Sequence, residues 1–98
     1  MNGKAIQITV LSLKAGFEEL LIPELAPLID ATRQLSGCLI FDLYRLSKDR
    51  STLALHEVWT THNALEAFAL SPLKTEMTTL VSRFLAQPPR SWSVEEIC

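Results

Sequence analysis

The sequence predicts an α+β fold of ferredoxin-like βαββαβ order, an antiparallel sheet with its helices on one face. Three observations carry this. Four short runs rich in β-branched and aromatic residues alternate with two stretches of helical periodicity. One polar segment, SKDRST, separates two strand-like runs and marks a hairpin. Several strands are apolar on both sides, so they belong in the middle of a sheet covered on each face.

Ala5 to Leu13 alternates weakly, with Ile6, Ile8 and Val10 on one side and Gln7, Thr9, Leu11 and Leu13 on the other. Lys14-Ala15-Gly16 turns the chain, and Glu18 and Glu19 suit the positive end of a helix. Phe17, Leu21, Leu25, Leu28, Thr32 and Leu35 recur on one helical stripe. Pro23 and Pro27 predict a kink or a late start within it. Ser36-Gly37 ends that helix, glycine being free to take the left-handed cap. The second strand runs from Cys38 to about Leu46. The third, Leu53 to Thr60, sets Leu53, Leu55, Glu57 and Trp59 against Ala54, His56 and Val58.

Thr61 is the expected N-cap of a helix over Asn63 to Ala69, and Ser71-Pro72 is a cap followed by proline at the first helical position. Leu73, Met77, Leu80, Val81, Phe84 and Leu85 trace the clearest amphipathic helix, stopped by Gln87-Pro88-Pro89. A final strand is expected over Ser91 to Ile97. Right-handed crossovers and the hairpin place the first and third strands centrally. Helices cover one face only, so a homodimer that packs sheet on sheet is the economical cover for the other.

At 98 residues the chain is one domain, 1–98, which buries roughly 60–65% of its unfolded surface. A net charge of −2 without runs of either sign argues against nucleic acid and anionic membrane as partners. Cys38 and Cys98 make neither a disulfide framework nor a metal motif and read as free thiols of a reducing compartment. The N-terminal apolar run is too short and too polar to span a bilayer, and no small-residue cleavage site follows it. A cytoplasmic location is the expectation.

Thr52 to Leu73 concentrates the candidate chemistry. Glu57 is a carboxylate beside the Trp59 indole on an otherwise aliphatic face. It is the candidate catalytic base; the competing reading is a structural carboxylate bonded to backbone or to Arg33. Trp59 is suited to stacking on a planar ring, and equally to filling core or dimer interface. Phe41, Phe68, Tyr44 and His56 complete the candidate substrate contacts. His56 faces away from Glu57 in a regular strand. His62 falls in the solvated corner after it, and Ser71 reads as a cap.

Four local signals, in order, resemble the antibiotic biosynthesis monooxygenase type of dimeric α+β barrel domain. They are Lys14-Ala15-Gly16 after the first strand; Thr32-Arg33 with Gly37-Cys38-Leu39; Glu57-Val58-Trp59 followed by Ala64-Leu65; and Ser71-Pro72. The resemblance implies a dimeric barrel and, in one branch of the group, oxygenation of quinols or anthrones without a cofactor. Other members process phosphorylated sugars, degrade haem or have no known activity. Fold alone does not choose among these.

The departures bear on function. Leu35-Ser36 stands where Glu-Pro is common, and Phe41 where tyrosine is common. The segment that commonly reads A-H-x-x-S-x-H is here Ala67-Phe68-Ala69-Leu70-Ser71-Pro72-Leu73, so both histidines are replaced. Haem degradation and histidine-based proton transfer at those positions are therefore disfavoured. No cofactor is expected. The two functional expectations are a cofactor-independent monooxygenase for a small aromatic, quinol-like substrate, or a non-catalytic dimeric binding domain.

Overall fold

The computed structural model describes residues 3–98. The element order is β1 (Ala5–Ser12), α1 (Glu18–Arg33), β2 (Cys38–Leu46), β3 (Asp49–Trp59), α2 (His62–Ala69), α3 (Pro72–Ser82) and β4 (Arg90–Val94). All pairings are antiparallel and the sheet order is β2-β3-β1-β4, which puts β1 and β3 in the middle as their two-faced apolar character requires.

Register partners share a face, so the sheet has two distinct sides. Toward the helices stand the row Phe41–Glu57–Gln7, the row Leu43–Leu55–Thr9–Ser91, and then Leu53 beside Leu11. These meet Leu21, Leu25 and Ile29 of α1 and Met77, Leu80 and Val81 of α3 in one core. The reverse face carries Ile40–Val58–Ile6–Val94, Asp42–His56–Ile8–Trp92 and Tyr44–Ala54–Val10–Arg90. No helix covers it, and Ile40, Tyr44, Trp92 and Val94 are exposed there.

Several boundaries differ from the sequence expectation, and the larger differences have local reasons. Helix α1 starts at Glu18, ahead of both prolines, rather than late. Pro23 and Pro27 lie on its exposed side, where the carbonyls they leave without a donor face water. The SKDRST loop shrinks to Ser47 and Lys48, because Asp49 to Thr52 join β3. Thr52 pairs with Ser12, and a register shift between Arg45 and Leu46 absorbs the extra residues. Helix α3 ends at Ser82 instead of reaching Gln87. Beyond it Leu85 bridges Leu13, and Ala86 N–H donates to the Ser12 carbonyl at 2.8 Å, so β1 recruits this segment into the sheet. Strand β4 stops at Val94, opposite Ile6, one residue inside the first residue of β1.

The two expected N-caps form. Ala64 N–H donates to Thr61 Oγ1 at 3.0 Å and Lys74 N–H to Ser71 Oγ at 3.2 Å. Helix α1 ends at Arg33 with Gln34 as its C-cap in a right-handed conformation, earlier than the expected glycine cap; Gly37, at φ +89°, instead turns the chain into β2. A Cβ there lies 2.8 Å from Ala64 Cβ and 3.1 Å from Thr60 Oγ1, so this glycine also permits close approach of α2. Gly16 has a similar φ of +85° but open space around it. Gly37→Ala is therefore expected to destabilise by about 3 kcal/mol, backbone strain plus overpacking, against about 1 kcal/mol for Gly16→Ala, strain alone. Thermal unfolding of the two variants measures the difference, and equal losses refute the steric contribution.

Candidate active site

Strand β3 enters the core with Leu53, Leu55, Glu57 and Trp59 on one side, and Glu57 and Trp59 are each 1% exposed. Two residues apart on a strand, they turn toward one another: Trp59 Nε1 donates to Glu57 Oε1 at 2.9 Å. Glu57 Oε2 is buried with no hydrogen-bond partner among the described residues. An unpaired carboxylate oxygen in a dry site is costly, so it marks either strain or a position awaiting a donor. Arg33, the alternative structural partner, is engaged elsewhere. Its Nε donates to the Phe41 carbonyl at 3.0 Å and its Nη2 to Asp42 Oδ1 at 3.0 Å.

An aromatic cluster closes over this pair. Trp59 stacks on Phe68 of α2 at a centroid distance of 5.0 Å, and Phe41 meets Phe68 edge-on at 5.5 Å. Phe68 holds one of the two positions where the family resemblance implies histidine. It joins α2 to the sheet by ring contacts, and it brings no proton carrier to Glu57.

Beside the cluster lies a cavity of about 330 Å³ between the sheet and helices α1 and α3. Phe41, Leu43, Leu55, Thr9 and Leu11 form its floor, and Leu25, Ile29, Met77 and Val81 its apolar roof. Exposed Thr78 and Ser82 on α3 and Ser91 on β4 place its mouth between those two elements. Its size falls at the small end of ligand pockets, roughly 300–1,000 Å³. Thr9 Oγ1 and Ser91 Oγ bond to each other at 2.9 Å, so part of the polar lining is already satisfied.

The candidate residues divide into three groups. Phe41 lines the cavity directly. Glu57, Trp59 and Phe68 do not line it; Glu57 is the register partner of Phe41, in the row next to Leu43–Leu55–Thr9–Ser91. His56 and Tyr44 lie on the reverse face, His56 opposite Asp42 and Tyr44 53% exposed. His62 is exposed at the start of α2. Cys38 and Cys98 are free thiols. Burial foremost, then the charge of Glu57, with Asp42 adding to it, pushes the Cys38 thiol above its usual range, while Arg33 pulls it back. Among the described residues no three His, Cys, Asp or Glu side chains are grouped to hold a metal ion, and no helix is long and apolar enough to cross a membrane.

The apolar residues of α3 that face the cavity, Met77 and Val81, belong to the stripe read from the sequence, but the polar row beside them, Lys74, Thr78 and Ser82, was not singled out. The i, i+4, i+8 spacing of the polar row is the signal that would have found it.

With strand order, core and cavity in place, comparison with known proteins decides the family. The antibiotic biosynthesis monooxygenase family model matches residues 5–77. The chain belongs to that family. Similar solved structures agree on the fold. A Nitrosomonas europaea protein named for this family superposes with a TM-score of 0.91 at 15% identity, covering 99% of this chain and 93% of that one. A Mycobacterium tuberculosis protein gives 0.88 at 22% identity, covering 98% and 97%. A conserved Methanosarcina mazei protein gives 0.90 at 17%, covering 96% and 93%. No curated protein is similar enough to be matched. At these identities the monooxygenase family member shares architecture with its neighbours, and its chemistry has to be argued from its own residues.

Proposed function

We propose that this family member is a homodimeric, cofactor-independent monooxygenase that oxidises a small aromatic, quinol- or anthrone-like molecule in the cavity under α3. The observation that carries this reading is the largely apolar cavity of about 330 Å³, with a buried carboxylate paired in register with Phe41 of its lining. Oxygenation of this kind needs a substrate that gives electrons to O₂ itself. The protein's part is to take a proton, hold the resulting anion flat and keep water out.

For an anthrone-type methylene the sequence balances. A base removes one proton from CH₂, the carbanion passes an electron to O₂ and a C–O bond forms. The resulting peroxide then loses water as its second C–H proton leaves, giving C=O. Overall, CH₂ plus O₂ becomes C=O plus H₂O. Glu57 is the base in this proposal, through the partnerless Oε2, and reaching the substrate requires Phe41 to give way between them. Phe41 supplies the flat contact within the cavity. Trp59 acts through Glu57, fixing Oε1.

A specific observation favours a second reading, binding without turnover. Phe68 and Leu73 occupy the positions where histidines are common, and Glu57 does not line the cavity. Oxygen uptake with a panel of hydroquinones and anthrones separates the two. Consumption above the buffer rate supports the enzyme, whereas saturable binding with no consumption supports the accessory domain.

The dimer rests on the uncovered face, where Ile6, Ile8, Val10, Ile40 and Val58 form contiguous apolar rows. A second copy packed sheet to sheet is the partner whose surface matches such a face. Light scattering at micromolar concentration is expected to give twice the 11.0 kDa chain mass. Ile8→Glu, at the centre of the face, is expected to give monomer; a wild-type monomer refutes the dimer. His56 and Tyr44 become interface residues in this arrangement rather than substrate contacts within the cavity. The free thiols suit the cytoplasm.

A further inference from the structure

Lys74 is the one charged side chain on the wall of the cavity, and among the described residues no ion pair accounts for its position. It stands at the third residue of α3, in the first turn, where the helix dipole disfavours a cation. The neighbours it can reach along the helix, three and four residues away, are Leu70, Ser71, Met77 and Thr78, none of them acidic. Among the described residues no carboxylate pairs with it. Its recorded contact is the face of the Phe68 ring, 5.6 Å from Nζ to the centroid. The side chain is half-buried, so its ammonium stands at the edge of an apolar space instead of reaching into bulk water.

Thr78 and Ser82 continue from Lys74 along the cavity at intervals of one turn, parallel to the apolar pair Met77 and Val81. Ser82 Oγ already donates to the Thr79 carbonyl at 2.8 Å, while Thr78 keeps its hydroxyl available to a ligand. The cavity is thus polarised, with hydrocarbon on roof and floor, a cation at the α2 end, and hydroxyls along the mouth. Glu57 is buried with Oε1 held by Trp59 and makes no ion pair with Lys74.

We infer that Lys74 selects the ligand: the occupant is a flat apolar molecule bearing one anionic oxygen group, a carboxylate or an ionised phenol, which pairs with the Lys74 ammonium. The inference rests on the reading that the cavity binds a planar apolar molecule, and deepens it by naming the charge that molecule carries. In a partly desolvated site one such charge-assisted bond is worth about a tenfold gain in affinity.

Calorimetric titration at neutral pH with two probes of equal shape, naphthalene-2-carboxylate and naphthalene-2-carboxamide, tests it. The wild-type protein is expected to bind the carboxylate about tenfold more tightly than the amide. Lys74→Met is expected to erase that preference by weakening only the carboxylate, and Lys74→Arg to keep it. Equal affinity for the two probes, or a preference that survives Lys74→Met, overturns the inference while leaving the cavity reading standing. If neither probe binds, the cavity reading falls and the inference with it.

Discussion

Trp59→Ala is expected to lower stability by about 3–5 kcal/mol through lost packing, and by about 1–3 kcal/mol more because Glu57 is then left with neither oxygen paired. A domain of this size has roughly 5–15 kcal/mol in all, so a substantial unfolded fraction at room temperature is the predicted outcome. The loss is large because the indole does two jobs at once: its face stacks on Phe68, and its N–H satisfies Glu57 Oε1. Trp59→Phe separates them. It keeps a ring against Phe68 and removes the donor, so a cost of about 1–3 kcal/mol is expected. Adding Glu57→Leu to Trp59→Phe should recover part of that cost, since an apolar pair leaves nothing unsatisfied. Urea midpoints followed by circular dichroism give the order. If Trp59→Phe is as stable as the wild type, the hydrogen bond makes no net contribution.

Glu57→Gln carries the largest expected effect on chemistry. The amide oxygen continues to accept from Trp59, so the cluster and the fold are preserved, but the side chain no longer takes a proton. Turnover in the oxygen-uptake assay is expected to fall by about 10²–10⁴-fold, the range for loss of a general base. Because Glu57 does not line the cavity, affinity for a planar probe should stay within a factor of about two. Loss of rate without loss of binding is the signature of the base. A variant retaining more than a tenth of the wild-type rate removes Glu57 from the mechanism, and the Trp59–Glu57 pair is then a structural element alone.

The faces of the strands could be read from residues because alternation is local. Leu53, Leu55, Glu57 and Trp59 share a side whatever surrounds them, and Thr61 and Ser71 cap their helices through their own hydroxyls. Boundaries set by partners far along the chain could not. Asp49 to Thr52 look like loop until Ser12 pairs with Thr52, and Phe84 and Leu85 look like helix until the end of β1 engages them. The candidate site was legible to the same depth. Glu57 and Trp59 were recognisable as an unusual pair, but their turning toward each other and away from the cavity depends on which row of α3 lies over which row of the sheet. That same choice brings Lys74 onto the wall.

The pairing of Ile6 with Val94 has a consequence for how the molecule assembles. The β2–β3 hairpin needs only a two-residue turn and can zip early, whereas the β1–β4 ladder joins residues such as Thr9 and Ser91, 82 positions apart. Closing so long a loop is entropically expensive, and folding rates fall as such distant contacts accumulate. One wall of the cavity, at Ser91, belongs to this ladder. The cavity is therefore expected to close late in folding, and fraying of β4 to open it before the rest of the sheet comes apart.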